Sequence, residues 1–214
     1  MSTTPTETPL LRVNGLRKKF GEFTVFADMS FDLCHGRALA MVGPNGSGKS
    51  TAMRCITGAD RPTEGTVELD GTLMDERLPA IRRGLAVVMD DLDFFPDLSV
   101  VEHLDLFARA HGVPNPDVLV DTVLDDVGLT MQAAQLPGTL SSGQRRRLAL
   151  ASAFVRPRLL LVLDEPEQRL DDSGLEWLAD RLNAEKKQGL GVLLASHDSA
   201  LVAAVADDVL RLGA

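Results

Sequence analysis

Residues 43–51 read Gly43-Pro44-Asn45-Gly46-Ser47-Gly48-Lys49-Ser50-Thr51, and this stretch decides the fold of the 214-residue chain. The apolar run 38–42 before it predicts a buried strand, and residues 51–57 predict a helix closed by Gly58. The stretch also meets the spacing G-x-x-x-x-G-K-[ST]. A strand, a glycine-rich loop and a helix in this order predict a phosphate-binding loop, in which backbone N–H groups converge on phosphate oxygens at the positive end of a helix.

The residue types in this loop suit a nucleotide and its metal ion. Glycine is needed where a side chain would hold the phosphates away from the backbone. Lys49 can reach the terminal phosphates as a point charge, and the Ser50 hydroxyl can ligate Mg²⁺. The alternative is a glycine-rich turn beside an ordinary lysine, but the flanking strand and helix favour the phosphate-binding loop. We therefore predict that residues 43–51 bind the phosphates of a nucleotide.

The composition predicts one compact domain that does not cross a membrane by itself. The chain is 44% hydrophobic, but no uninterrupted apolar run approaches the ~18 residues that a membrane span needs. Residues 1–9 are polar and lack the features of a secretory signal, so we expect a disordered tail ahead of a single domain over 10–214. The net charge of −9 argues against a broad nucleic-acid-binding face. Cys34 and Cys55 have no metal-ligand spacing and are expected to be reduced, packed thiols.

The rest of the pattern predicts an α/β fold with two additions. Short, partly alternating runs at 10–13, 23–26 and 29–33 predict a small antiparallel sheet at the N-terminal side, to which the strand at 65–71 returns. From about residue 91 to 145 the pattern becomes helical, with a capping box from Ser99 to Glu102. We therefore predict a P-loop NTPase core with a small antiparallel β subdomain and an inserted α-helical subdomain.

Two acidic residues follow the next buried strand. The continuous apolar run 159–163 is typical of a parallel strand buried on both faces, and Asp164 and Glu165 stand at its carboxyl end. Ligands in open α/β sheets bind outside the carboxyl ends of the strands, which is where the phosphate-binding loop also lies. Asp164 suits the shell of a Mg²⁺ ion, and Glu165 suits the polarisation of an attacking water. The alternative for the pair is an exposed acidic turn.

Three further features gain meaning only beside these motifs. Ser141 is a natural N-cap for a helix that we expect to run to Pro157, and the start of that helix can bind an anion. His197 follows the predicted strand 191–195, at another strand end beside the phosphate site. Phe20 precedes the turn residue Gly21 and could lie against an adenine ring. Taken singly, these features are more often a plain helix cap, a structural histidine and a core phenylalanine.

In this order, the motifs resemble the nucleotide-binding subunit of the ATP-binding cassette (ABC) superfamily over residues 10–214. The combination is specific, because an LSGGQ-like signature ahead of a D-E-P strand is peculiar to that family. The resemblance implies that Phe20 stacks on adenine, that residues 43–51 are the Walker A loop, that Asp164 and Glu165 belong to Walker B, and that His197 is the switch histidine. The signature matches Leu140-Ser141-Ser142-Gly143-Gln144. It also implies a head-to-tail dimer, in which each of two ATPs lies between one subunit's Walker A loop and the other's signature.

Three departures from the family pattern concern the reaction. Ser142 stands where the signature usually has glycine, and Gln168-Arg169 replace small residues of the family's D-loop. Asp90 aligns with the glutamine that normally contacts the metal and the attacking water, so it is a candidate catalytic and metal-binding residue. These departures concern the rate of hydrolysis. Since Glu165 and His197 are present, we predict an active ATPase.

The resemblance implies an ABC transporter ATPase that uses ATP and Mg²⁺ and pairs with a second subunit, identical to it in a homodimer. It would drive a separate transmembrane permease, docked near residues 90–96, from the cytoplasmic face of the cell membrane. Two alternatives stay open: a regulatory clamp that holds ATP with little turnover, and a soluble ABC ATPase acting on nucleic acid or ribosomes. The short stretch between Lys49 and Asp164 argues against the second, because such relatives usually carry two cassettes or a long coiled coil. No nucleic-acid partner is expected, and export is favoured over import.

Overall fold

The computed structural model describes residues 8–89 and 93–213, and within these ranges it has nine strands and seven α-helices. The strands are β1 (Leu11–Phe20), β2 (Phe23–Leu33), β3 (Ala38–Val42), β4 (Glu64–Leu69), β5 (Thr72–Leu73), β6 (Leu85–Val88), β7 (Leu160–Asp164), β8 (Gly191–Ala195) and β9 (Asp208–Arg211). The helices are α1 (Lys49–Thr57), α2 (Pro79–Gly84), α3 (Val100–Ala110), α4 (Pro116–Asp126), α5 (Ser142–Phe154), α6 (Asp172–Lys186) and α7 (Ser199–Val205). Within the same ranges, no helix is both long and apolar enough to cross a membrane.

The strands form two sheets, as the sequence predicts. The parallel sheet has the order β6-β7-β8-β3-β9, and the antiparallel sheet has the order β2-β1-β4-β5. In the parallel sheet Asp164 pairs with Ala195, and Ala195 pairs with Met41. The ends of β7, β8 and β3 therefore lie level at one edge of the sheet. This edge is where the acidic pair, the histidine and the glycine-rich loop leave the sheet.

The parallel sheet is buried on both faces. Side chains of β7 alternate between two apolar cores: Leu160 and Val162 belong to one, and Leu161 and Leu163 to the other. The first core is covered by α1 and the antiparallel sheet, and the second by α3 to α7. Both faces of a strand in this position must be apolar, which explains the continuous hydrophobic run of β7.

The helical segment begins and ends on local signals. The capping box predicted at the start of α3 is present, because the Ser99 N–H donates to Glu102 Oε2 at 2.7 Å. The helix predicted to start at Asn115 is α4, with Pro116 in its first turn. Two 3₁₀ turns, Thr130–Gln132 and Pro137–Thr139, then lead to α5.

Several predicted boundaries are wrong. The strands expected at 23–26 and 29–33 are one strand, β2, because the break between them is an irregularity at Asp28, whose φ is 53°. Strand β1 continues to Phe20 because it pairs with β2 on one side and β4 on the other. Helix α5 ends at Phe154 and does not reach Pro157, since the residue before a proline disfavours the helical conformation. The short elements α2, α7 and β5 were not predicted.

Candidate nucleotide-binding site

The glycine-rich loop joins the end of β3 to the start of α1 and lies tightly against its neighbours. Gly48 is the N-cap of α1 with a φ of 92°, and a Cβ built there would lie 2.6 Å from Val25 Cγ1. A Cβ at Gly43 would lie 2.4 Å from the Leu212 carbonyl oxygen. Neither position can take a side chain in this backbone. The first-turn N–H groups of α1 have no partner within the helix, so they are available to an anion.

A pocket of about 500 Å³ opens over this loop. Its lining comes from the β1–β2 hairpin, the loop, the first turn of α1 and the turn after β7: Phe20, Phe23, Val25, Asn45, Gly46, Gly48, Lys49, Ser50, Thr51 and Glu165. The hairpin contributes only apolar side chains, and Phe20 and Phe23 are 58% and 69% exposed. Exposed aromatic rings beside a phosphate-binding loop suit a nucleobase, which gains by stacking.

Lys49 is buried, at 5% exposure, and its ammonium group lies close to three polar atoms of the described residues. Nζ donates to the carbonyl oxygens of Gly43 at 2.9 Å and Pro44 at 3.2 Å, and it lies 3.1 Å from His197 Nε2. The side chain thus folds back over its own loop. The cation lies where phosphate oxygens bound by the loop amides could take it as a partner.

Asp164 and Ser50 form the part of the site that suits a divalent cation. Asp164 is 4% exposed, and its Oδ1 is buried without a hydrogen-bond partner among the described residues. Burial raises the pKa of Asp164, and a hydrogen bond from Ser50 opposes that rise. A carboxylate and a hydroxyl are hard oxygen donors of the kind that Mg²⁺ takes together with substrate phosphates. The donor set therefore fits the ion.

Glu165 has a neighbour on each carboxylate oxygen. Oε1 lies 3.2 Å from His197 Nε2, and Oε2 accepts a hydrogen bond from Gln168 Nε2. The Glu165 backbone has a φ of 45°, and its N–H donates to the Ala195 carbonyl at 2.8 Å. A left-handed conformation at a non-glycine residue is uncommon, and here it begins the turn that brings Glu165 and Gln168 together.

The signature residues stand apart from this pocket, since none of residues 141–144 lines it. Ser141 caps α5: its Oγ accepts from the Gln144 N–H at 3.2 Å, and Gln144 Oε1 accepts from the Ser141 N–H at 2.9 Å. Ser142 is exposed in the first turn, so a side chain is tolerated where the family usually has glycine. Gly143 has no such room, because a Cβ there would lie 2.9 Å from the Arg169 carbonyl oxygen.

Arg146 connects the signature helix to the turn that carries Glu165. It is 6% exposed, and its Nη2 donates to the carbonyl oxygens of Asp164 at 2.7 Å and Glu165 at 2.6 Å. Its Nε donates to the Pro166 carbonyl oxygen at 3.3 Å. One guanidinium group therefore holds three successive carbonyl groups at the end of β7.

The structure brings most of the predicted site residues together, but Asp90 lies outside the described residues. Sequence analysis missed Phe23, Val25 and Arg146, and it named Gln168 only as a departure from the family's D-loop. The hairpin spacing holds a signal for Phe23, since a two-residue turn makes it the cross-strand partner of Phe20. No comparable signal marks the other three: Val25 lies at a register shift between β1 and β2, and the contacts of Gln168 and Arg146 depend on the turn after β7.

The fold and this site define the class of P-loop nucleoside triphosphatases, with the loop, Lys49 and the acidic strand end as its nucleotide-binding parts. Within that class, the family model described as "ABC transporter" matches residues 26–168. The chain belongs to the ABC transporter family. It is an ATP-binding and ATP-hydrolysing subunit of that family.

Similar proteins include ATP-binding proteins of bacteria that are named for export. The chain is 33% identical over 205 residues to the SkfA peptide export ATP-binding protein SkfE of Bacillus subtilis, covering 95% of this chain and 85% of that protein. It is 35% identical over 194 residues to the Nod factor export ATP-binding protein I of Ralstonia nicotianae, covering 89% of this chain but only 60% of that longer protein. A solved structure of the ATP binding subunit of an ABC transporter matches with a TM-score of 0.89 and 28% identity, over 95% of this chain and 85% of the other.

Proposed function

We propose that this subunit works as one half of an ATP-driven dimer that powers a separate export permease. The observation that carries the proposal is the meeting of Lys49, Asp164, Glu165 and His197 over one phosphate-binding loop. Export is supported by SkfE and the Nod factor protein, both of which are named for export. Under this proposal the subunit is peripheral to the cytoplasmic face of the membrane. The permease docks near residues 90–96, beside Phe95, which is 56% exposed.

The position of the signature supports a head-to-tail dimer. The start of α5 offers the backbone amides of residues 142 and 143 and the exposed Ser142 side chain, yet it does not line the pocket of its own chain. A second, identical subunit in the opposite orientation would bring residues 141–144 onto the phosphates bound by the first. Each ATP would then need residues from both subunits, so binding ATP and forming the dimer would be one event.

Each polar residue then has a role in the reaction. Ser50 and Asp164 would hold Mg²⁺, with Asp90 as a further candidate ligand, and the bound ion would supply positive charge to the phosphates. Lys49 binds the terminal phosphates. Glu165 orients the attacking water and accepts its proton. The pocket's aromatic end, with Phe20 and Phe23, holds the base by stacking.

His197 Nε2 can form a hydrogen bond with Lys49 or with Glu165, but not with both at once. Its Nε2 lies 3.1 Å from Lys49 Nζ and 3.2 Å from Glu165 Oε1. In the neutral ring Nε2 is either an acceptor for the ammonium or a donor to the carboxylate. A phosphate that takes the Lys49 ammonium releases Nε2 to donate to Glu165. His197 therefore orients Glu165 when the terminal phosphate is in place.

The test compares the wild type with Lys49→Ala, Glu165→Gln and the control Glu176→Gln, which alters an exposed residue of α6. We expect the wild type and the control to release phosphate from ATP, and Lys49→Ala to lose tight ATP binding. Glu165→Gln should bind ATP without turnover and elute as a dimer with ATP and Mg²⁺, because the amide keeps the shape and removes the base. Unchanged ATP affinity in Lys49→Ala would contradict the site. A wild type that binds ATP without releasing phosphate would instead favour the clamp.

A further inference from the structure

Glu167 holds the segment that carries His197. Its Oε1 accepts a hydrogen bond from Ser196 Oγ at 2.7 Å and another from the His197 backbone N–H at 2.8 Å. Ser196 Oγ in turn accepts from the Asp198 N–H at 3.0 Å. Ser196 is 1% exposed, so water does not compete freely for its hydroxyl. One carboxylate oxygen thus fixes residues 196–198, which we name the switch segment.

We propose that Glu167 is a positioning residue for ATP hydrolysis, acting through His197 by fixing the switch segment to the turn after β7. This inference rests on the proposed function of Glu165 and His197. The turn carries both Glu165 and Glu167, so the hydrogen bonds of Glu167 fix the position of the switch segment relative to Glu165, the proposed base. Hydrogen bonds to a carboxylate are stronger than those between neutral groups, and small displacements of a reacting group cost large factors in rate.

The other carboxylate oxygen of Glu167 shows that this residue does more than stabilise the fold. Oε2 is buried and has no hydrogen-bond partner among the described residues. Burying an unpaired polar atom opposes folding, so a residue serving stability alone gains little from a carboxylate here. The switch segment also has other supports. The Ser196 N–H donates to the Met41 carbonyl oxygen at 3.3 Å, and Asp198 Oδ1 accepts from the Leu201 N–H at 2.8 Å. Loss of Glu167 should therefore loosen the segment without unfolding α7.

The kinetic test measures Glu167→Ala and Glu167→Gln, each in the wild type and in a His197→Ala background. In the wild type, Glu167→Ala should lower kcat about ten- to hundredfold and change KM for ATP less than about threefold. Glu167→Gln should stay within about threefold of the wild-type kcat, because the amide oxygen can accept the same two bonds. In the His197→Ala background, adding Glu167→Ala should lower kcat by less than about a further twofold, because the residue through which Glu167 acts is already absent. Glu176→Ala is the matched control.

A second measurement does not depend on turnover. Hydrogen exchange at the His197 amide should be faster in Glu167→Ala than in the wild type and the control, with the melting temperature of the protein nearly unchanged. The same kcat loss in both backgrounds would overturn the inference, because it would show that Glu167 does not act through His197. Unchanged amide protection would also overturn it. A wild type that releases no phosphate would contradict the proposed function, and the exchange measurement would still decide whether Glu167 fixes the switch segment.

Discussion

Replacing Arg146 by lysine should loosen the turn that carries Glu165 and slow ATP hydrolysis while leaving ATP binding in place. The arginine makes three hydrogen bonds to carbonyl oxygens at the end of β7, and it is 6% exposed. A lysine keeps the charge but has no planar fork, so it cannot reach three successive carbonyl groups in this geometry. The turn also contains Glu165 at a φ of 45°, a conformation that costs about 1–2 kcal/mol in a non-glycine residue.

The size of the effect follows from these bonds. Hydrogen bonds to charged groups contribute about 1.5–3 kcal/mol each, and the bonds at 2.6 and 2.7 Å are the strong ones here. If lysine keeps one of the three bonds, Arg146→Lys loses two and should lower the free energy of unfolding by about 3–6 kcal/mol. Arg146→Ala loses all three bonds, and that loss approaches the total free energy of unfolding of about 5–15 kcal/mol that domains have. Lysine is therefore the better variant, because it removes less of that stability.

Urea unfolding and steady-state ATPase assays test this prediction together. We expect Arg146→Lys to lower kcat at least about tenfold and to bind ATP within about threefold of the wild type, because Lys49 lies on a different element. The matched control is Arg145→Lys, an exposed neighbour on α5, whose free energy of unfolding should change by less than about 0.5 kcal/mol. Wild-type stability and turnover in Arg146→Lys would refute the reasoning.

Three other changes test separate parts of the site. Burial raises the pKa of Asp164, so the stability this carboxyl contributes is present below its unfolded pKa and lost as pH rises through the folded one. Asp164→Asn should therefore raise the melting temperature of the metal-free protein at pH 8 and abolish turnover; equal melting temperatures would count against this. Phe20→Ala and Phe23→Ala should each weaken binding of ATP, but not of tripolyphosphate, about five- to tenfold by calorimetry, since stacking contributes about 1–3 kcal/mol; equal losses for both ligands would exclude stacking. If Asp90 lies about 5 Å from the terminal phosphate, its carboxylate repels that phosphate by roughly 3 kcal/mol, so Asp90→Gln should lower the Mg²⁺ concentration needed for activity; superimposable Mg²⁺ titrations would exclude Asp90 from the site.

Local signals made the phosphate-binding end of the fold predictable. The glycine spacing of residues 43–51 and the apolar run ending at Asp164 each encode a short element, and both elements form where expected. Helix starts at Ser99 and Ser141 were predictable for the same reason, since a capping box is complete within a few residues. Strand order was not predictable, because β3 lies between β8 and β9, which come from the far end of the chain.

The contacts that hold the catalytic side chains could not be predicted from the sequence, for a different reason. Gln168 reaches Glu165, and Glu167 reaches the switch segment, only because the turn after β7 places Glu165 and Arg169 at positive φ. Glutamate and arginine do not indicate a positive φ in the sequence, as a glycine would. Sequence comparison with the family marks Gln168 as unusual, but it does not say what the side chain contacts.

The contacts of α5 give the proposed dimer a physical link between its two ATP sites. Gly143 packs so closely on the Arg169 carbonyl that no side chain fits between them, and Arg146 holds the carbonyl groups of Asp164 and Glu165. In a head-to-tail dimer, the start of α5 contacts the ATP of one site, while Arg146 on the same helix supports the Glu165 of the other. A shift of α5 on closing one site must then be transmitted to the turn of the second, because a packed interior is rigid on this scale. The Arg146→Lys variant should therefore also weaken any cooperativity between ATP sites, which a Hill analysis of the ATPase rate would measure.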